Sequence, residues 1–170
     1  MLPELTSPRL RLTPATDGDL ELVRTLNADE AVMRNLTGRP STPEETEAEW
    51  GRRLGERSAP DRGMGYWTGW HDDAFVGWWG LGACSWDETT ANLGYRLLPG
   101  SWGAGLATEG SAALLRHAFE DTGMDSVWAS TTHRNLASQR VLTKLSMRYL
   151  GIEYDQCQYK ITAAEWGASD

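Results

Sequence analysis

The sequence predicts an α+β fold: a mixed, mostly antiparallel sheet of six to seven strands flanked by about four helices. Three features predict it. The strand-like segments bunch in the middle of the chain instead of alternating with helices. One strand–helix–strand unit, residues 91–132, calls for a parallel, right-handed crossover. Two further strands then close the chain.

The elements follow in order. Leu10-Arg11-Leu12-Thr13 alternates as a strand does. Thr16-Asp17-Gly18-Asp19 resembles a capping box and opens a helix from Asp17 to Ala28. Thr42-Pro43-Glu44-Glu45 starts a second helix, with a Thr cap, Pro at the first helical position and Glu at the third. It runs to about Arg57. Tyr66–Trp70 and Phe75–Cys84 are strands joined by a turn at His71-Asp72-Asp73, and Asp87-Glu88-Thr89 is another polar turn. Ala91–Leu98 is a strand ended by Pro99-Gly100. A helix runs from Gly105 to about Asp121, apolar on more than one side and therefore buried, and Gly123 stops it. Ser126–Thr132 is a strand, Asn135–Leu145 a helix, and Arg148–Tyr154 with Gln156–Thr162 are the closing strands.

With 170 residues, the expected organisation is one domain, 1–170. A hydrophobic fraction of 40% supplies a core without disulfides or a structural metal. Cys84 and Cys157 are expected to be reduced, and no His/Cys cluster has metal-ligand spacing. No apolar run reaches membrane-spanning length, and the first residues lack the pattern of a signal peptide, so a cytoplasmic protein is expected. The net charge of −8 argues against nucleic acid as a partner; it suits a cationic amine, or simply keeps the chain soluble. Five of nine tryptophans crowd into Trp67–Trp86 with Tyr66 and Phe75; most are expected in the core, and some beside an aromatic acceptor.

The chemistry concentrates in Leu98-Pro99-Gly100-Ser101-Trp102-Gly103-Ala104-Gly105-Leu106-Ala107-Thr108-Glu109, which joins a strand to a helix through glycines. Such a turn lets backbone approach an anion, and the first helical N–H groups point at it. The glycine pair alone reads first as a tight turn that needs Gly103 and Gly105 for their φ angles. A Walker loop is excluded because no Gly-Lys-Ser/Thr ending exists, and a dinucleotide fingerprint fails at Thr108.

Trp102 to Glu109 resembles the coenzyme A pyrophosphate loop of the GNAT (Gcn5-related N-acetyltransferase) superfamily, closest to its ribosomal-protein N-terminal acetyltransferase (RimJ/RimL-like) branch. The resemblance extends to Pro8-Arg9-Leu10-Arg11-Leu12, Leu93-Gly94-Tyr95, Asn135 to Leu142 with Lys144-Leu145, and Tyr159 to Thr162 with Glu165-Trp166. It implies a GNAT fold and transfer of an acetyl group from acetyl-CoA, used as co-substrate without a metal, to a primary amine. That amine could belong to a protein N-terminus, an amino acid, a polyamine, an aminoglycoside or another small molecule. A longer acyl donor such as succinyl-CoA, or a non-catalytic coenzyme A-binding module, is the alternative. Relatives form monomers and homodimers alike. Five positions depart from the superfamily pattern: Gly100 replaces an Arg or Gln, Ser146-Met147 a Gly-Phe, Leu142 a Tyr that serves as general acid, and Asn92 a Glu.

The resemblance also implies roles. Main-chain N–H groups at Leu97 and Leu98 are candidates to hold the thioester oxygen, where neighbouring strands splay. Trp102, Gly103, Ala104, Gly105, Leu106, Ala107 and Thr108 form the coenzyme loop. Asn135 caps its helix or binds the pantetheine arm. Ser138, one turn on, is a candidate acid for the sulfur, or bonds backbone. The base is open among Asp87, Glu88, His133 and a relaying water. Histidine titrates in the appropriate range.

Overall fold

The computed structural model describes residues 1–168, so the last two residues of the expected domain lie outside it. Among the described residues, eight strands form one sheet: β1 (Leu5–Thr6), β2 (Arg11–Pro14), β3 (Gly65–His71), β4 (Ala74–Ala83), β5 (Thr90–Leu97), β6 (Ser126–Thr132), β7 (Arg148–Glu153) and β8 (Gln156–Thr162). Their order is β1-β2-β3-β4-β5-β6-β8-β7. β5 and β6 pair in parallel, and every other neighbour pairs antiparallel. The helices are α1 (Leu20–Asn27), α2 (Glu30–Met33), α3 (Pro43–Leu54), α4 (Leu106–Arg116), α5 (Leu136–Lys144) and α6 (Ala163–Gly167). None is long and apolar enough to cross a membrane.

The counts exceed the expected six to seven strands and four helices because three short elements carry little periodicity. β1 has two residues and is held as a strand by pairing with β2. α2 is one turn, capped by Asp29, whose carboxylate accepts from the Val32 amide. α6 opens on a capping box in which Thr162 and Glu165 each satisfy the other's amide, a pattern readable in Thr162-Ala163-Ala164-Glu165. Boundaries also move. The first helical segment begins as a 3-10 turn at Asp17–Asp19, α3 stops at Leu54, and α4 gives way to a π-helical stretch over His117–Asp121.

The paired aromatics serve both faces of the sheet, because successive strand residues point opposite ways. Tyr66 and Trp78 are buried with Val23, Leu26, Met33 and Trp50 under α1–α3. Trp67 and Trp79, next in sequence to each, are buried on the other face with Leu106 and Leu114 of α4. Most of this stretch is core, as expected, while Trp86, which is exposed, sits edge-on against Trp128. Cys84 and Cys157 are both buried free thiols.

Two hairpins use two-residue turns, at Asp72-Asp73 and Tyr154-Asp155, with all four residues at positive φ. That matches the type I′ geometry that suits twisted strands.

Candidate active site

The sheet parts at its parallel seam. β5 and β6 are in register from Thr90↔Ser126 to Leu93↔Ala129 and no further. Beyond that, β5 continues to Leu97 paired with β4 alone, and β6 continues to Thr132 paired with β8 alone. The expected splay is therefore present, between Gly94–Leu97 and Ser130–Thr132.

Main-chain direction at this gap separates the two expected amide donors. The Leu98 amide donates to the Val76 carbonyl at 2.9 Å, so it is turned toward β4 and committed there. Alternation along a strand turns the Leu97 amide the other way, into the gap. The Leu97 carbonyl accepts from the Trp102 indole at 2.9 Å, which folds the loop back onto the strand end.

The loop itself starts with a 3-10 turn over Pro99–Ser101. The Trp102 amide donates to the Pro99 carbonyl at 3.1 Å and is spent, which corrects its expected main-chain role. Gly103 and Gly105 have φ of 73° and 80°, a region costing an L-residue roughly 1–2 kcal/mol. Gly105 is the N-cap of α4 and offers no side-chain cap; the first helical bond runs from the Glu109 amide to the Gly105 carbonyl at 3.0 Å. Six successive amides, Gly103 to Thr108, thus have no main-chain partner among the described residues. Gly103, Ala104 and Gly105 are exposed. Such a run of N–H groups at a helix start fits an anion of diphosphate size.

Two long-range contacts fix this helix start. Glu109 accepts from the Arg9 amide (2.8 Å), the Arg9 Nε (2.7 Å) and the Ser7 hydroxyl (2.7 Å). The same Arg9 donates through Nη1 to the Ala104 carbonyl at 2.8 Å. A guanidinium thus stands beside the loop even though Gly100 supplies no side chain. Behind the helix, Gly110 lies against Trp79: a Cβ there would come 2.4 Å from the ring, and the indole donates to the Ala107 carbonyl at 3.3 Å. Glycine at 110 is what lets α4 approach β4 so closely.

On the other side of the gap, Asn135 caps α5 by accepting from the Ser138 amide at 3.1 Å. The Ser138 hydroxyl accepts from the Tyr95 hydroxyl at 3.0 Å. In the sequence Tyr95 stands out only within Leu93-Gly94-Tyr95, because its partner lies 43 residues away. Burial pushes the Tyr95 phenol up, outweighing the opposite pull of Ser138, so the ring keeps its proton at neutral pH. Leu142 is in the core at 2% exposure and carries no proton to donate.

The expected bases separate. Asp87 and Glu88 precede Thr90, the first residue of β5, whereas the gap lies at the far end of that strand. Seven residue steps at ~3.3 Å put them roughly 20 Å away. Asp87 is a turn anchor instead: its carboxylate accepts from the Thr89 amide and from the hydroxyls of Thr89 and Thr90, which hold it below the usual carboxylate range. Glu88 is exposed, and its carbonyl accepts from Arg62. His133 does stand at the open end, directly after β6. Its Nδ1 is 2.8 Å from Asp155, which leaves Nε2 as the outward nitrogen.

A parted parallel seam beside a glycine-rich anion cradle is the architecture of an acyl-group transferase that grips its donor by a phosphate. The acetyltransferase (GNAT) domain family matches residues 9–148, and the chain belongs to that family. It is 31% identical over 184 residues to the FsC-acetyl coenzyme A-N(2)-transacetylase of Aspergillus fumigatus, covering 96% of this chain and 78% of that protein. A GNAT-family acetyltransferase structure from Bacillus anthracis shares the fold with a TM-score of 0.80 at 20% identity, over 96% of this chain and all of that one. RimL, the ribosomal L7/L12 α-N-protein acetyltransferase in complex with coenzyme A, does so with a TM-score of 0.77 at 18% identity, over 94% and 97%. At that identity RimL shares the fold, without fixing the branch.

Proposed function

We propose that the chain, acting as one domain, transfers the acetyl group of acetyl-CoA to a primary amine. The observation that carries this reading is the run of six unpartnered amides, Gly103 to Thr108, set beside a gap into which the Leu97 amide is turned. The name of the Aspergillus relative, an N(2)-transacetylase, supports an amino nitrogen as acceptor. RimL has the same fold and acts on a protein α-amine, which keeps an α-amine among the acceptors.

In this reading the loop amides bind the diphosphate of the donor, with Arg9 adding positive charge. The Leu97 amide donates to the thioester oxygen as negative charge develops on it, an interaction that strengthens toward the transition state. The amine nitrogen attacks the carbonyl carbon, the C–N bond forms and the C–S bond breaks. Ser138 gives its hydroxyl proton to the departing thiolate and is reprotonated by solvent water as it does so. Tyr95 is a positioning residue: by donating to the Ser138 oxygen it leaves the serine proton free to point at sulfur. The proton lost by the amine leaves through His133, whose ring Asp155 orients, or through water to solvent. An α-amine, with a pKa of about 8, needs far less help here than a lysine at about 10.4.

The test is free-thiol release from acetyl-CoA across a panel of amines. Thiol release that depends on an amine supports transfer. Coenzyme A binding without release on any amine would contradict it.

A further inference from the structure

We propose that the cavity between α2, α3 and β5 is an anion subsite, so that the amine this enzyme acetylates carries an acidic group close to its nitrogen. This rests on the acetyl-transfer reading and names the acceptor class within it.

The cavity is about 290 Å³ and is lined by Arg52, Arg53, Arg57 and Arg96 against only two carboxylates, Glu45 and Glu49. Both carboxylates are already committed. Glu45 pairs with Arg39 at 2.9 Å. Glu49 pairs with Arg53 at 2.6 Å and with Arg96 at 3.2 Å. The guanidiniums of Arg52 and Arg57 have no hydrogen bond or ion pair among the described residues. Arg96 is only 10% exposed, and its buried Nε has no partner. Its guanidinium is held by Asn27 at 2.6 Å and Glu49 at 3.2 Å, so it is a fixed cation at the cavity wall, and the free positive charge is that of Arg52 and Arg57. In a chain of net charge −8, this concentration of arginine is local and opposite in sign.

Its position fits the acceptor. Arg96 immediately precedes Leu97 on β5, and their side chains take opposite faces of the sheet. Leu97 is buried with α4, while the Arg96 guanidinium lies 5.3 Å from the Trp78 ring centroid beneath α1–α3. The segment after α2 reaches the end of β6, where the Thr132 hydroxyl donates to the Asn35 carbonyl at 3.1 Å. Donor loop and arginine cavity therefore flank the same gap from opposite faces. Arg53 stacks over Trp78 at 4.3 Å, so part of the cation set is held in place before any ligand comes. Forked guanidiniums match carboxylate and phosphate equally well.

The experiment compares kcat/KM for acetylation of α-amino acids, their carboxamides, O-phosphoethanolamine, ethanolamine and spermidine. The anionic amines are expected to exceed their neutral counterparts by at least about tenfold. The amino-acid and phosphoethanolamine arms tell carboxylate from phosphate. The exposed double variant Arg52→Gln/Arg57→Gln should erase the preference while coenzyme A affinity stays unchanged, and Arg52→Lys/Arg57→Lys should keep part of it. Neutral amines or spermidine leading the series, or a preference that survives the glutamine variant, would overturn the proposal. So would a failure of every anionic amine to turn over while coenzyme A still binds. Loss of coenzyme A binding in the unaltered protein would instead count against the donor reading beneath it.

Discussion

The Tyr95 hydroxyl donates a 3.0 Å hydrogen bond to the Ser138 hydroxyl, tying the end of β5 that has parted from β6 to α5. If Ser138 protonates the thiolate, Ser138→Ala lowers kcat by about 100-fold, the lower range for a general acid, with acetyl-CoA affinity little changed. Tyr95→Phe produces a smaller loss in the same direction. Unchanged kcat in Ser138→Ala would remove the serine from the reaction.

Arg9 and Glu109 clamp the start of α4 across 100 residues of chain. Burial acts to raise the Glu109 carboxyl, yet the hydrogen bonds from Ser7 and Arg9 hold it below the usual range. Glu109→Gln should cost about 1–2 kcal/mol, discounted because Arg9 is partly exposed, and lower Tm by roughly 2–8 °C. Coenzyme A affinity should fall with it. A double-mutant cycle with Arg9→Gln checks that the two side chains act as a pair.

Ser146 ends α5 at φ 60°, where the superfamily pattern has glycine. Its amide donates to the Thr143 carbonyl, the Met147 amide donates to Leu142, and Met147 is buried. The bend is thus made by a serine in a left-handed conformation. Ser146→Gly should stabilise the protein by about 1 kcal/mol, read as a higher denaturant midpoint at constant slope.

Glu49 sets an acid limit. Burial alone would raise its carboxyl, but the charges of Arg96 and Arg53 and their hydrogen bonds outweigh burial and hold it at about 2, against an ordinary 4.5. A lowered folded value means stability that is complete above about 4.5 and lost as pH falls toward 2. The loss is on the order of 3 kcal/mol. Glu49→Gln should flatten that acid limb and also destabilise at neutral pH by about 3 kcal/mol, because two arginines lose their carboxylate. Urea unfolding from pH 7 to pH 3 measures both effects.

What was legible in the sequence was local. The strand–glycine–helix loop announces itself in Trp102 to Thr108, and Thr42-Pro43-Glu44-Glu45 states its own helix start. The seam followed from one βαβ unit. What stayed hidden depends on pairing across distance. Arg9 and Glu109 both belong to quoted motifs, yet nothing in their spacing says that they meet. Asp87 and Glu88 were misplaced because a turn's polarity does not tell which end of the next strand bears the gap. Leu98 and Trp102 carry the expected amides, but tertiary and turn hydrogen bonds had already taken them. The net charge of −8 pointed toward cationic acceptors, while the cavity beside Arg96 gathers the opposite sign.

The most direct measurement is a crystal structure of the protein with coenzyme A. The account predicts diphosphate oxygens about 3 Å from main-chain nitrogens between Gly103 and Thr108, with the sulfur between Leu97 and Ser138. A diphosphate bound elsewhere, with those six amides still without a partner, would contradict it.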